Sequence, residues 1–109
     1  MIVSERNVSD ALAYLATDPH PLALARKDVT DAENAREAEF AGLFVVAEGT
    51  VRDRESAVER NASYQALKAA EAEAELALER HKARVKAAEM LIEVWRTENA
   101  NIRAAERVR

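Results

Sequence analysis

"ERHKARVKAAEMLIEVWRTENANIRAAERVR", Glu79 to Arg109, contains no glycine and no proline and holds Trp95, the single tryptophan of the chain. Glycine and proline are the residues that interrupt helices most strongly, at about 1 and about 3 kcal/mol relative to alanine. Read backwards, the stretch meets no breaker until the "RNASY" segment at residues 60–64. There Asn61 suits a left-handed turn position and Ser63 a helix N-cap. The sequence therefore predicts one helix over 64–109, roughly 45 residues and about 68 Å at 1.5 Å per residue.

That helix has a regular seam. Ala74, Leu78, His81, Val85, Ala88, Ile92, Trp95, Asn99 and Ile102 follow one another in alternating steps of four and three. This is a heptad pattern with Leu78, Val85, Ile92 and Asn99 at equivalent core positions. Leu76, Met90, Leu91 and Val94 widen the apolar stripe beyond a two-stranded seam, which implies more than one neighbour, as in a bundle.

The preceding segments read as helix too. Residues 4–17 carry a short stripe at Val8, Ala11, Leu12 and Leu15, with Ser4 or Ser9 as N-cap, ended by Asp18-Pro19 and Pro21. A first arm spans 22–60, with a stripe through Leu22, Ala25, Val29, Ala32, Phe40, Leu43 and Ala47. It is interrupted near Gly49, which suits the left-handed position after a helix end. Thr50 with Asp53 resembles a capping box that starts either a third helix or a kinked continuation of the second. The expected fold is all-α: a single domain over 1–109 built as a long antiparallel helical hairpin with a short N-terminal helix, self-associating as a helical bundle. Folding back at 61–63 would set residues 80–96 opposite 28–44, with Arg80, Lys82, Arg84 and Lys86 near Asp28, Asp31, Glu33, Glu37 and Glu39.

Composition supports self-association. Of 109 residues 49% are hydrophobic, but 24 of those residues are alanine and only 5% of the chain is aromatic. Such a set buries little area per side chain, so sister copies would supply the missing burial. There is no cysteine, which removes disulfides, thiolate metal sites and a cysteine nucleophile. Nothing reads as a signal peptide, and the longest apolar stretch, Phe40 to Ala47, is too short to span a bilayer. The expected location is the cytoplasm.

The net charge of −4 is unevenly placed: residues 1–79 hold 8 Lys/Arg against 16 Asp/Glu, residues 80–109 hold 8 against 4. A basic end points either to an anionic partner or to the acidic half of the same molecule. No nucleophile–histidine–acid set, phosphate-binding glycine loop or metal-ligand spacing is present, so neither an enzyme nor a cofactor or metal site is expected. Glu71 and Glu75 share a helix face, read as solvated. His20 and His81 read as structural. Trp95 beside Arg96 has two readings: core or subunit interface, or a platform that stacks a base while the arginine grips its phosphate. Asn99 reads either as a register-fixing polar seam residue or as exposed. Arg96, Arg103, Arg107 and Arg109 gather on the last turns, as a solvated helix end or as phosphate contacts that become a basic belt when copies assemble.

The tail "LERHKARVKAAEMLIEVWRTENANIRAAERVR", preceded by "SAVERNASYQALKAAEAEAE", resembles small phage-encoded helical proteins of recombination systems, distantly similar to UvsY-type recombination mediators. Arg54, Glu55, Glu59, Ala62, Tyr64 and above all "VWRTENAN" carry the resemblance, over roughly the second half of the chain. It implies a helical homo-oligomer that binds single-stranded DNA without sequence preference and assists a recombinase, an annealing protein or a single-strand-binding protein. Carried over by residue, Arg96 and Arg103 would contact the DNA backbone, with Lys82, Arg84 and Lys86 as further contacts. Leu78, Val85, Ile92, Trp95, Asn99 and Ile102 would form the subunit interface. The chain's net acidity departs from this pattern. The competing expectations are an acidic protein-interaction module, such as an inhibitor or adaptor that mimics nucleic acid, and a structural assembly protein.

Overall fold

In the computed structural model, which describes residues 3–108, the chain is all-α. Four helices are present: α1 (Glu5–Leu15), α2 (Pro21–Val46), α3 (Val51–Glu59) and α4 (Ala62–Val108). No strand occurs among the described residues. The helices form two compact units. One comprises residues 23–79; the other joins the N-terminal residues through Leu22 to those from Arg80 onward.

Each helix start follows from local chemistry. Ser4 caps α1, its Oγ accepting from the Asn7 N–H at 3.1 Å. For α2, His20 Nδ1 accepts from the Leu22 N–H at 3.0 Å, and Pro21 occupies the first helical position, where no N–H is needed. The cap of α3 is the full capping box read from sequence. Thr50 Oγ1 accepts from the Asp53 N–H, and Asp53 Oδ2 accepts from the Thr50 N–H, both at 3.2 Å. For α4 the cap is Asn61, not Ser63 as expected: Asn61 Oδ1 accepts from the Ser63 N–H at 2.9 Å and the Tyr64 N–H at 3.3 Å. No described non-glycine residue has a positive φ, so Asn61 is not left-handed. Its side-chain oxygen reaches the orphan amides, which makes a left-handed backbone unnecessary.

Helix α3 is a separate helix, not a continuation of α2. Between them Gly49 adopts φ 106°, and a Cβ placed on it would lie 2.9 Å from Asp53 Oδ2 and 3.0 Å from Asp53 Cβ. Gly49→Val therefore forces an unfavourable φ and pushes on the capping carboxylate. The expected cost is about 1–3 kcal/mol, read as a lowered urea midpoint with an unchanged m-value.

Past this turn, Arg54 returns to the end of α2. Its Nε and Nη2 donate to the Phe44 carbonyl at 3.1 and 2.7 Å, and its guanidinium lies 4.3 Å from the Phe44 ring centroid. A cation thus satisfies a terminal carbonyl of α2, where the helix dipole favours positive charge.

The core of the 23–79 unit is an aromatic chain. Phe44 stacks on Phe40 at 5.9 Å, Phe40 meets Tyr64 edge-on at 5.8 Å, and Lys68 Nζ lies 5.9 Å from the Tyr64 ring. Tyr64 is buried, as is Val58 of α3. The Arg36 Nε donates to Glu71, and the Ser63 Oγ lies 2.7 Å from Glu39 Oε1. These contacts correct the expected register. Residues 36–40 of α2 meet residues 63–71 of α4, because α3 and its turns take up the chain between them. The basic run from Arg80 to Lys86 belongs to the other unit. There, Val8 and Ala11 of α1 and Ala88 of α4 are buried, Tyr14 meets His20 edge-on at 4.9 Å, and the Arg84 guanidinium lies 4.1 Å from the Tyr14 ring centroid.

Candidate nucleic-acid interface

On α4 the burial pattern follows the seam. Ala74, Leu78, His81, Val85, Ile92, Trp95 and Asn99 are half-buried and Ala88 is buried, while Ile102 is 42% exposed. Met90 and Val94, which widen the stripe, remain 59% and 42% exposed. Asn99 directs its amide along its own helix: Nδ2 donates to the Trp95 carbonyl at 3.0 Å. Trp95 Nε1 is buried and has no acceptor among the described residues.

Trp95, Arg96, Asn99 and Arg103 together line one concavity of about 340 Å³. Helix geometry explains the grouping. Positions 95, 99 and 103 succeed one another at spacings of four, and 96, 99 and 103 at three and four, so all four side chains share a face. Arg96 makes a 3.6 Å ion pair with Glu93, in which both side chains are about 70% exposed (69% and 71%). Such a pair contributes ~0–1 kcal/mol and exchanges readily. Arg103 has no ion-pair or hydrogen-bond partner among the described residues. Arg107 lies one turn further on and is exposed. Arg109 lies outside the described residues.

The three earlier basic candidates do not join this concavity. Arg84 packs its guanidinium on Tyr14 and lines a cleft of about 270 Å³ with Asn7, Asp10 and Leu91. Lys82 and Lys86 have exposed side chains.

The acidic side differs from its sequence reading. Glu71, expected on a wet face, is only 15% exposed and paired with Arg36. Its carboxylate, with Tyr64 second, holds the Arg36 guanidinium above its ordinary value. Arg36 therefore stays charged throughout the working range. Glu33, Glu71 and Glu75 bring carboxylate oxygens within 4.8 Å of one another, with no histidine among them. Neither Arg36 nor Arg54 was singled out by sequence for these contacts. Both are long-range pairings without a local signature.

Among the described residues no helix is long and apolar enough to cross a membrane. The fold and surface define the chain as an all-helical protein with a cationic, tryptophan-lined helix end. No family model, curated protein or solved structure matches it.

Proposed function

We propose that the chain is a recombination accessory protein that binds single-stranded DNA without sequence preference. In this reading it acts as a homo-oligomer in the cytoplasm, without catalytic chemistry or cofactor, and assists a recombinase, an annealing protein or a single-strand-binding protein. The long helices form an antiparallel hairpin whose exposed Met90, Val94 and Ile102 are covered by sister copies. One observation carries the proposal: Arg96 and Arg103 converge with Trp95 on a concavity that no carboxylate among the described residues lines. Assembly multiplies that feature. A single copy offers few phosphate contacts, whereas several copies offer a basic belt. The resemblance of "VWRTENAN" to phage recombination proteins points the same way.

The test is anisotropy of a labelled oligonucleotide over a salt series. Three phosphate contacts, from Arg96, Arg103 and Arg107, give a log–log salt slope of about −2 per subunit, and the Arg96→Ala/Arg103→Ala protein should bind more weakly with a slope shallower by about 1.4. Absence of binding at low salt would remove this reading.

A second reading keeps the acidic half as the working surface. Asp28 and Glu37, in the acidic stretch from Asp28 to Glu39 of the 23–79 unit, are exposed, and an array of carboxylates resembles a phosphate backbone to a basic groove. It is the reading left standing if DNA does not bind.

A further inference from the structure

The concavity at Trp95 has a composition that specifies more than a phosphate contact. Among the described residues its lining combines one large aromatic ring, two guanidinium groups and one carboxamide, and no acid. At about 340 Å³ it falls at the small end of the ~300–1,000 Å³ typical of ligand pockets. The ring is half-buried, so packing fixes its position while part of it remains a wall of the cavity. Asn99 holds its amide nitrogen on the Trp95 carbonyl, which leaves Oδ1 as an acceptor. Arg103 is uncommitted among the described residues, and Arg96 is held only by an exposed pair with Glu93.

We infer that this concavity takes one nucleotide of a single strand, the base stacked on the Trp95 indole and the adjoining phosphate held by Arg96 and Arg103. The inference rests on the single-strand-binding reading above and adds the mode of recognition. A planar π-face suits any base, so stacking gives affinity without sequence preference. The guanidinium groups supply the matching charge and can bond phosphate oxygens in pairs. Arg107, one turn beyond, is placed to meet the next phosphate rather than the same one.

Because Trp95 is the only tryptophan, fluorescence excited selectively in tryptophan reports on this site alone. The intact chain is titrated with oligo-dT and with an abasic strand of equal length, both end-labelled so that anisotropy gives affinity independently. Oligo-dT should quench Trp95. The abasic strand should keep the same salt slope, leave the fluorescence unchanged, and bind roughly ten- to hundredfold more weakly. Trp95→Leu should abolish the preference for dT over the abasic strand, and Trp95→Phe should retain part of it, with circular dichroism confirming helical content. If Trp95→Leu does not fold, the Phe variant and the quenching carry the test. Equal affinity for the two strands with unchanged fluorescence would overturn the stacked nucleotide and leave single-strand binding intact. Absence of binding to either strand at low salt would overturn both.

Discussion

Val58→Asp should cost about 4 kcal/mol or more and leave the unit built from residues 23–79 without cooperative structure. Val58 is 1% exposed, the most completely covered side chain among the described residues. A carboxylate there must either ionise out of reach of water or remain protonated with its polar atoms unmatched, and both are expensive. The cation one turn earlier on the same face, Arg54, already serves the Phe44 carbonyl. Drawing it onto the introduced carboxylate would uncap α2. Changes of this size are exceptional among point mutants and belong to this mechanism. Against a total stability of ~5–15 kcal/mol for a natural domain, the loss is decisive. Urea unfolding followed at 222 nm checks it, with Val58→Ala as the comparison at about 2 kcal/mol. A single transition within about 1 kcal/mol of the parent protein would show that α3 does not anchor this unit.

Much of the secondary structure was legible in the residues, and the reason is local. The absence of breakers after Gly49, the Thr50/Asp53 box and the prolines at 19 and 21 act within one turn of where they stand, so they could be read one turn at a time. The burial stripe on α4 was legible for the same reason, since heptad spacing fixes which residues share a face. Register was not. An alanine-rich stripe can slide by a heptad against its partner and keep apolar residues in contact, so periodicity alone does not choose among alignments. Long-range chemistry makes the choice here: Arg36 on Glu71, Phe40 on Tyr64 and Arg54 on the Phe44 carbonyl. None of these has a signature in spacing.

The candidate site divides in the same way. That Trp95, Arg96, Asn99 and Arg103 gather on one face follows from helix geometry. That Arg84 is spent on Tyr14, and that Glu71 is covered rather than solvated, depends on which helix lies alongside, which spacing does not encode. Net charge misleads for a related reason. The acidic excess is concentrated in residues 1–79, which hold 16 Asp/Glu against 8 Lys/Arg, while among the described residues no acid lines the Trp95 concavity. A protein of net charge −4 can therefore still present a locally cationic surface to an anionic strand.

Tyr64→Ala should destabilise the same unit by about 3–5 kcal/mol, the range for removing a buried aromatic. Tyr64 is 7% exposed and stands in the first turn of the long helix, where it links three things: the Asn61 cap, the Phe40–Phe44 stack and the Arg36–Glu71 pair. Truncation leaves a void beside Phe40 and removes an aromatic contact worth about 0.5–1.5 kcal/mol beyond its area. It also withdraws the Tyr64 hydroxyl from Arg36, although Glu71 remains as that guanidinium's principal partner. Tyr64→Phe separates these effects: it keeps the ring and the packing and loses only the hydroxyl, so it should cost about 1 kcal/mol. The informative quantity is the ratio of the two losses in urea unfolding. A large loss for Ala with a small one for Phe places the anchoring of α2 on α4 in the aromatic chain. Comparable losses would move it to the polar contact with Arg36, and the start of the long helix would then be held by charge rather than by packing.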